Sequence, residues 1–168
     1  MSQKLKDNLV SSEARAAALG SRASATAGDV AAFDARIRRT LGAALEKKAL
    51  DLTVLDLRGI ASFTDFFVIT TGTNRRQCQA ISDEVVEQLK RSGTRAARVE
   101  GFQTAEWILI DYGDFVVHVF DERARRFYDL ERLWREARRI DISPQQLGSE
   151  ISDFKSEISN LKSEKSDL

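Results

Sequence analysis

The chain has 168 residues, of which 42% are hydrophobic and 31% are charged, a composition typical of a soluble globular protein. This length allows one domain with a core and terminal tails, but not two ordinary domains. The 26 basic and 26 acidic side chains balance to zero, so no general basic excess can drive nucleic-acid binding, and any RNA contact must be local.

Three further features of the composition favour a cytoplasmic protein. No apolar run approaches the roughly 20 residues that span a bilayer. The amino-terminal segment lacks the apolar stretch of a secretory signal. Cys78 is the one cysteine of the chain, which excludes an internal disulfide and a cysteine-cluster metal site and suits a reducing compartment.

The first predicted helix follows a segment of different composition. Residues 1–28 are rich in Ala, Ser and Gly, so we expect a disordered or weakly helical tail, with at most a short helix near residues 12–19. From Asp29, a candidate N-cap, apolar residues follow the spacing of one helix face at Val30, Phe33, Ile37, Leu41 and Leu45.

Two strands and a second helix are predicted next. Residues 53–57 and 65–71 are rich in β-forming residues, and the second run is nearly all apolar, which indicates a central strand. A helix with a periodic apolar face then extends to Gly93, a candidate C′ residue, and its face carries Cys78, Ile81, Val85 and Leu89.

A short strand at residues 97–100 and a β-hairpin at residues 107–120, WILIDYGDFVVHVF, are predicted to follow. We centre the hairpin turn on Asp111 and Tyr112, with Gly113 at the left-handed position. This register pairs Leu109 with Phe115 and Ile110 with Asp114, and it places Trp107, Leu109 and Val117 on one face of the sheet.

Asp129 is predicted to cap a last helix that ends before Pro144 and carries Leu130, Leu133, Trp134 and Ala137. The predicted order is αββαβββα, an α/β fold with a mixed sheet and flanking helices. We expect this domain to occupy residues 29–140, between the tail of residues 1–28 and a carboxyl-terminal tail of residues 141–168.

The polar residues of the hairpin do not form a recognisable catalytic site. Two-metal chemistry needs carboxylates that converge on ions about 4 Å apart, but Asp111 and Asp114 flank a turn and no D-x-D pair occurs in residues 50–120. His118, the one histidine, cannot supply a zinc ligand set and is most often a core or interface group in such a position. Cys78 is interpreted as a small buried hydrophobe. No cofactor or metal is expected.

Two arginine-containing segments leave a weaker alternative open. Arg75 and Arg76 follow a strand-to-helix junction, residues 71–74, which could hold a phosphate but is more simply a capped helix with solvated arginines. Residues 121–139 hold seven arginines against five acids, a pattern typical of a solvated, ion-paired helix face.

Taken together, residues 45–134 resemble the Iojap family, the ribosomal silencing factors of bacteria and organelles. Five motifs in order carry the resemblance: residues 50–59 (LDLTVLDLRG), 64–72 (TDFFVITTG), 99–101 (VEG), 107–120 (WILIDYGDFVVHVF) and 128–134 (YDLERLW). The resemblance implies a fold similar to nucleotidyltransferases without their catalytic carboxylate pair. It also implies binding to a large-subunit ribosomal protein, the one numbered fourteen, which blocks subunit joining and represses translation when nutrients are short.

A partner-binding surface is therefore expected around the hairpin end. Its candidate residues offer rigid aromatic area or charges that meet basic ribosomal proteins, and they are Trp107, Asp111, Tyr112, Asp114 and Tyr128. We expect Tyr112 to be exposed at the tip, whereas Trp107 is equally compatible with the core. A residual nucleotidyltransferase-like enzyme, and a small RNA-binding module using Arg75, Arg76 and the arginines of residues 123–126, are the alternatives.

An internal repeat lies outside the motifs of the resemblance. The segments SEISDFK, SEISNLK and SEKSDL, residues 149–168, are three similar heptads, the last of them one residue short. Their 3-4 apolar spacing predicts a coiled-coil seam at Ile151, Phe154, Ile158, Leu161 and Leu168, interrupted by Lys165. Glu and Lys at the flanking positions favour parallel pairing and hence a homodimer, but a frayed amphipathic tail remains the alternative for so short a repeat.

Overall fold

The computed structural model describes residues 22–24 and 26–148, together with Ser152, Ser156, Ser159 and Asn160. The short helix expected near residues 12–19 and the apolar seam of the heptads lie outside the described residues. In chain order the elements are β1 (Arg22–Ser24), α1 (Ala27–Ala31), α2 (Ala35–Glu46), β2 (Leu50–Asp56), β3 (Phe66–Gly72), α3 (Arg75–Arg91), β4 (Arg98–Glu100), β5 (Trp107–Asp111), β6 (Phe115–Asp121), α4 (Glu122–Tyr128), α5 (Leu130–Leu133) and β7 (Arg138–Asp141).

The predicted fold class, an α/β protein with one mixed sheet, is confirmed. Within the described residues the strands follow the order β1-β7-β2-β3-β6-β5-β4 across a seven-stranded sheet. The central strands β3 and β6 are parallel, whereas β2 pairs with β3, and β5 with β6, in antiparallel fashion. Both central strands are buried along almost their whole length because each is covered on two faces.

Helices cover the two faces of the sheet unequally. The long helices α2 and α3 pack on one face, where Ile37, Leu41, Ile81, Val85 and Leu89 meet alternate strand residues. The short helices α4 and α5 lie on the other face, where Ala124 and Leu130 join a cluster that includes Phe67, Leu109 and Phe120. This second face is the one that carries the exposed aromatic residues described below.

The first predicted helix is divided into two, and Asp29 is not its cap. Thr26 caps α1, and its side chain accepts a hydrogen bond from the backbone N–H of Asp29 at 3.2 Å. The Asp29 carboxylate accepts from the Thr26 backbone N–H in return, which completes a capping box. Asp34 then caps α2. The two predicted apolar positions Val30 and Phe33 are buried, so the periodicity was correct although the helix start was wrong.

The predicted hairpin register was wrong by three residues. Leu109 pairs with His118 and Ile110 with Val117. The Tyr112 N–H donates to the Phe115 carbonyl at 3.0 Å, which closes a two-residue loop, Gly113-Asp114, with Gly113 at a φ of 87°. Because an odd shift turns every side chain over, Val117 lies on the α2–α3 face and not beside Trp107.

The last predicted helix was also wrong. Asp129 adopts the left-handed conformation, with a φ of 44°, and makes no side-chain cap hydrogen bond. Asp121 caps α4 instead, through the backbone N–H of Ala124 at 2.6 Å. Residues 138–141 form β7, which pairs with β2, because the period-two spacing of Ile140 and Ile142 buries both side chains against the sheet. The observed order is therefore βααββαβββααβ.

Structure extends beyond residues 29–140 at both ends. β1, in the segment predicted as a tail, pairs in parallel with β7. Ile142 and Leu147 are buried in the α2–α3 face of the core. None of the described helices is long and apolar enough to cross a membrane.

Candidate docking surface

The five residues that the sequence suggested for partner binding fall into two separate groups. Trp107 begins β5 and contacts Tyr128, with ring centroids 4.6 Å apart. Asp111 ends the same strand, about 13 Å from Trp107 at the usual rise per residue, and Tyr112 and Asp114 follow it. The structure therefore does not bring the hairpin loop and Tyr128 into one surface.

Trp107 belongs to the core. Its side chain is 4% exposed, its ring lies 5.0 Å from that of Phe120, and its indole N–H donates to Nδ1 of His118 at 3.0 Å. His118 is fully buried and also packs edge-on against Phe67, at 4.5 Å between centroids. The Nδ1 lone pair is therefore occupied by this bond. The core interpretation of both residues agrees with this geometry.

The expectation that Tyr112 is exposed at the hairpin tip was wrong. The residue is 9% exposed and stacks on Phe115, with centroids 4.8 Å apart. Tyr112 is the last extended residue before the loop, so its side chain alternates with that of Asp111 and points into the core. Burial raises the pKa of its hydroxyl to about 12, and among the described residues this hydroxyl has no hydrogen-bond partner.

The two hairpin carboxylates are occupied within the fold. Asp114 is exposed, but both of its oxygens accept hydrogen bonds from the guanidinium of Arg36. One oxygen of Asp111 accepts from the backbone N–H of Gly113 at 2.8 Å, which shapes the loop. Within the described part of the chain, His, Cys, Asp and Glu side chains form no group of three that could hold a metal ion. These carboxylates therefore act first as structural groups.

Tyr128 and its neighbour Phe127 form the most exposed aromatic surface of the described residues. Phe127 is 80% exposed and Tyr128 39% exposed, and their rings meet edge to face at 5.1 Å. We call this pair the aromatic patch. Sequence reasoning included Tyr128 but missed Phe127. The helical period gave no signal for it, because Phe127 lies three residues after the buried Ala124 and so on the same side of α4.

A cleft of about 440 Å³ adjoins the aromatic patch. Besides Phe127 and Tyr128, its walls are formed by Arg126, Asp129, Arg132, Leu133 and Arg135. Asp129 turns the chain between α4 and α5 through its left-handed backbone, and this turn is what brings the two helices' side chains around one opening.

Arg125 anchors α4, and with it the aromatic patch, to the sheet. Its guanidinium donates to Glu131 at 2.6 and 3.0 Å, to Thr71 at 2.9 Å, to Thr53 at 3.3 Å and to the carbonyl of Asp51. The side chains of Arg125 and Glu131 are only 11% and 10% exposed. A cleft of about 660 Å³ surrounds this network, but all five guanidinium donors are engaged, so Arg125 holds the fold and offers none to a ligand.

Cys78 and the junction before α3 also have structural roles. The Cys78 thiol is buried and lies 3.5 Å from the carbonyl oxygen of Phe120, and burial raises its pKa to about 11. A thiol with this pKa is protonated at neutral pH, which opposes a nucleophilic role. Asn74 caps α3 by accepting from the Gln77 N–H at 2.9 Å, and Arg75 and Arg76 are exposed, as the simpler interpretation predicted.

A family model described as "Ribosomal silencing factor during starvation" matches residues 23–167. This range is longer than residues 45–134, on which the resemblance seen in the sequence rests, and it includes most of the heptad segment.

Individual proteins give the same picture. The chain is 41% identical over 97 residues to the ribosomal silencing factor of Bacillus subtilis, a match that covers 58% of this chain and 82% of that protein. It is 30% identical over 108 residues to the mouse protein named mitochondrial assembly of ribosomal large subunit protein 1, covering 62% and 47%. A crystal structure of a Chromobacterium violaceum protein superposes with a TM-score of 0.58 at 33% identity, covering 59% of this chain and 82% of that one.

Proposed function

Since the chain belongs to the family of ribosomal silencing factors, we propose that it binds the large ribosomal subunit through the ribosomal protein numbered fourteen. Occupation of that protein keeps the small subunit from joining, and translation is repressed. The mechanism is steric, so it requires a stable surface contact and no chemical step.

The aromatic patch is the single observation that carries this proposal. A phenylalanine that is 80% exposed contributes little to the core, and together with Tyr128 it forms a contiguous exposed aromatic surface of the kind that marks protein–protein contacts. Aromatic residues are enriched among the side chains that dominate protein–protein binding energy. Tyr128 rests on Trp107, so the patch stands on a rigid base.

The anchoring of α4 supports the same proposal. Because Arg125 ties the helix to β2 and β3, the aromatic patch is held in place before a partner arrives. Binding then loses little conformational entropy at this helix, which favours affinity. Asp111 remains half-exposed beyond its loop bond and can add charge contact at the other end of β5.

The names of the relatives agree with a large-subunit partner. The B. subtilis protein is named a ribosomal silencing factor, and the mouse protein is named for assembly of the mitochondrial large subunit. The enzymatic alternative lacks a matching observation, because the carboxylate of Asp114 is held by Arg36 and that of Asp111 by the loop backbone.

The proposal is tested by calorimetric titration of the isolated ribosomal protein numbered fourteen with Phe127→Ala and Tyr128→Ala variants. Each truncation is expected to weaken binding about tenfold or more, as hot-spot residues do. Phe63→Ala is the matched control, because Phe63 is also exposed, at 44%, but its ring packs on Phe67 and Trp134 instead of on the two patch residues.

The control is expected to bind like the unmodified protein, and melting temperatures recorded beside the titrations identify any loss of fold. Unchanged affinity in both patch variants would contradict the assignment of the contact to the aromatic patch.

A further inference from the structure

Three arginines border the aromatic patch. Arg126, Arg132 and Arg135 are exposed and line the cleft that the patch adjoins. Among the described residues, none of their guanidinium groups has a carboxylate partner, whereas Arg36, Arg58, Arg91, Arg125, Arg138 and Arg139 do. We call these three residues the arginine rim.

The rim concentrates positive charge at one place on a chain whose net charge is zero. The cleft walls carry three guanidinium groups against the one carboxylate of Asp129, a local excess of two positive charges, while the formal net charge of the chain is zero. Asp129 is itself half-buried where it turns the chain between α4 and α5. A concentrated excess of this kind selects an anionic partner.

The chemistry of the rim fits phosphate better than a protein surface. Guanidinium groups form paired hydrogen bonds with phosphate oxygens. Because they are weakly hydrated, their desolvation on contact costs little free energy. Ribosomal proteins themselves expose basic residues, which the rim would repel. On a ribosome, the anionic surface next to such a protein is the ribosomal RNA that the protein contacts.

We propose that the arginine rim binds the phosphodiester backbone of ribosomal RNA beside the protein that docks on the aromatic patch. This inference rests on the proposed function for its location on the ribosome. The contact is sequence-independent, because the guanidinium groups reach phosphates and not base edges. It makes recognition bipartite: the patch selects the protein, and the rim adds an intramolecular, salt-sensitive contact once the protein is bound.

The test compares Arg132→Gln/Arg135→Gln with Arg75→Gln/Arg76→Gln, a pair that removes the same charge from the start of α3. Three probes are titrated: intact large subunits over a series of KCl concentrations, deproteinised large-subunit RNA, and the isolated ribosomal protein numbered fourteen. All four side chains are exposed, so both variants are expected to keep the melting temperature of the unmodified chain.

The rim variant is expected to bind large subunits about tenfold more weakly at low salt. Its plot of log affinity against log salt is expected to be shallower by about 1.5, because each lost phosphate contact contributes roughly 0.7 to 0.9. Its binding to deproteinised RNA is expected to fall in the same way, and its binding to the isolated ribosomal protein to stay unchanged. The Arg75/Arg76 variant is expected to match the unmodified chain throughout.

A salt slope equal to that of the unmodified chain would overturn the proposal, and so would a loss confined to the Arg75/Arg76 variant. Weaker binding of the rim variant to the isolated protein would also overturn it, because the rim would then contact a protein carboxylate. If the unmodified chain ignores the isolated protein yet binds RNA through the rim, the proposed function fails and the rim assignment stands.

Discussion

The hydrogen bond between Trp107 and His118 explains why two polar rings occur in an apolar hairpin. Trp107 pairs with Phe120, so His118 is its diagonal neighbour on the adjacent strand, where long side chains still meet. A slip of one residue would send the two rings to opposite faces of the sheet. The two polar rings, which in the sequence suggest a catalytic site, therefore help to fix the strand register. The exposed aromatic and charged side chains considered for binding lie on and beside α4 and α5.

The buried hydroxyl of Tyr112 gives a prediction about stability. Tyr112→Phe removes an oxygen that has no partner among the described residues, so the free energy of unfolding in urea is expected to stay unchanged or rise by about 1 kcal/mol. Tyr112→Ala is expected to lower it by about 3 to 5 kcal/mol, because it empties a core position. A clear loss of stability in the Phe variant would mean that the hydroxyl is hydrogen-bonded.

The raised pKa of Cys78 gives a second prediction. With a pKa of about 11, the folded protein holds about one thiolate per thousand molecules at pH 8, and the thiol is also buried. Reaction with a disulfide reagent at pH 8 is therefore expected to be at least a hundredfold slower in the native protein than in 6 M guanidinium chloride. Native and unfolded rates within a few fold of each other would contradict this burial.

At the scale of elements, the predictable parts are those where independent signals coincide. The Asn74 cap, the apolar period and Gly93 all bound α3, and its observed limits agree with them. The hairpin register was not predictable, because a glycine in the left-handed region suits both a three-residue and a two-residue loop. Tertiary pairing decided it. The spacing of Leu130 and Trp134 likewise suited a continuous helix, which pairing of β7 with β2 prevented.

The candidate surface was predictable only in part, for a related reason. Tyr128 could be named from its motif, but exposure depends on which face of the sheet a residue occupies. That face follows from the register, so Tyr112 was placed outside when it lies inside. The arginine rim required the turn at Asp129, a left-handed residue that is not glycine and that no sequence signal announces.

Arg125 supplies a prediction about how α4 is held. Arg125→Ala leaves the nearly buried Glu131 carboxylate without its ion-pair partner, so the free energy of unfolding is expected to fall by about 3 kcal/mol or more. Arg123→Ala, an exposed change on the same helix, is expected to alter it by less than about 0.5 kcal/mol. Equal effects of the two substitutions in urea titrations would show that the network does not anchor the helix.

At the scale of the whole molecule, the heptads offer a route to a dimer. The apolar seam of Ile151, Phe154, Ile158, Leu161 and Leu168 lies outside the described residues. The described positions between them, Ser152, Ser156, Ser159 and Asn160, are helical and exposed, and the Ser156 hydroxyl donates to the Ser152 carbonyl at 3.0 Å. In the predicted register these four fall at outer positions of the heptad, as a coiled coil requires.

Sedimentation equilibrium tests this hypothesis. The full chain is expected to dimerise more tightly than a chain ending at Gly148, and Ile158→Asp is expected to weaken dimerisation to the level of the truncated chain, because a charge in the seam lacks a partner. The same association constant for all three proteins would mean that the heptads do not assemble.

Subunit joining in vitro is the strictest test of the proposed steric mechanism. Purified large subunits are incubated with the protein, small subunits are added, and the mixture is separated on a sucrose gradient. We expect the protein to co-migrate with large subunits and the joined-ribosome peak to shrink as protein is added, whereas a Phe127→Ala/Tyr128→Ala variant is expected to leave the peak intact. An undiminished joined-ribosome peak at saturating unmodified protein would rule out the steric mechanism.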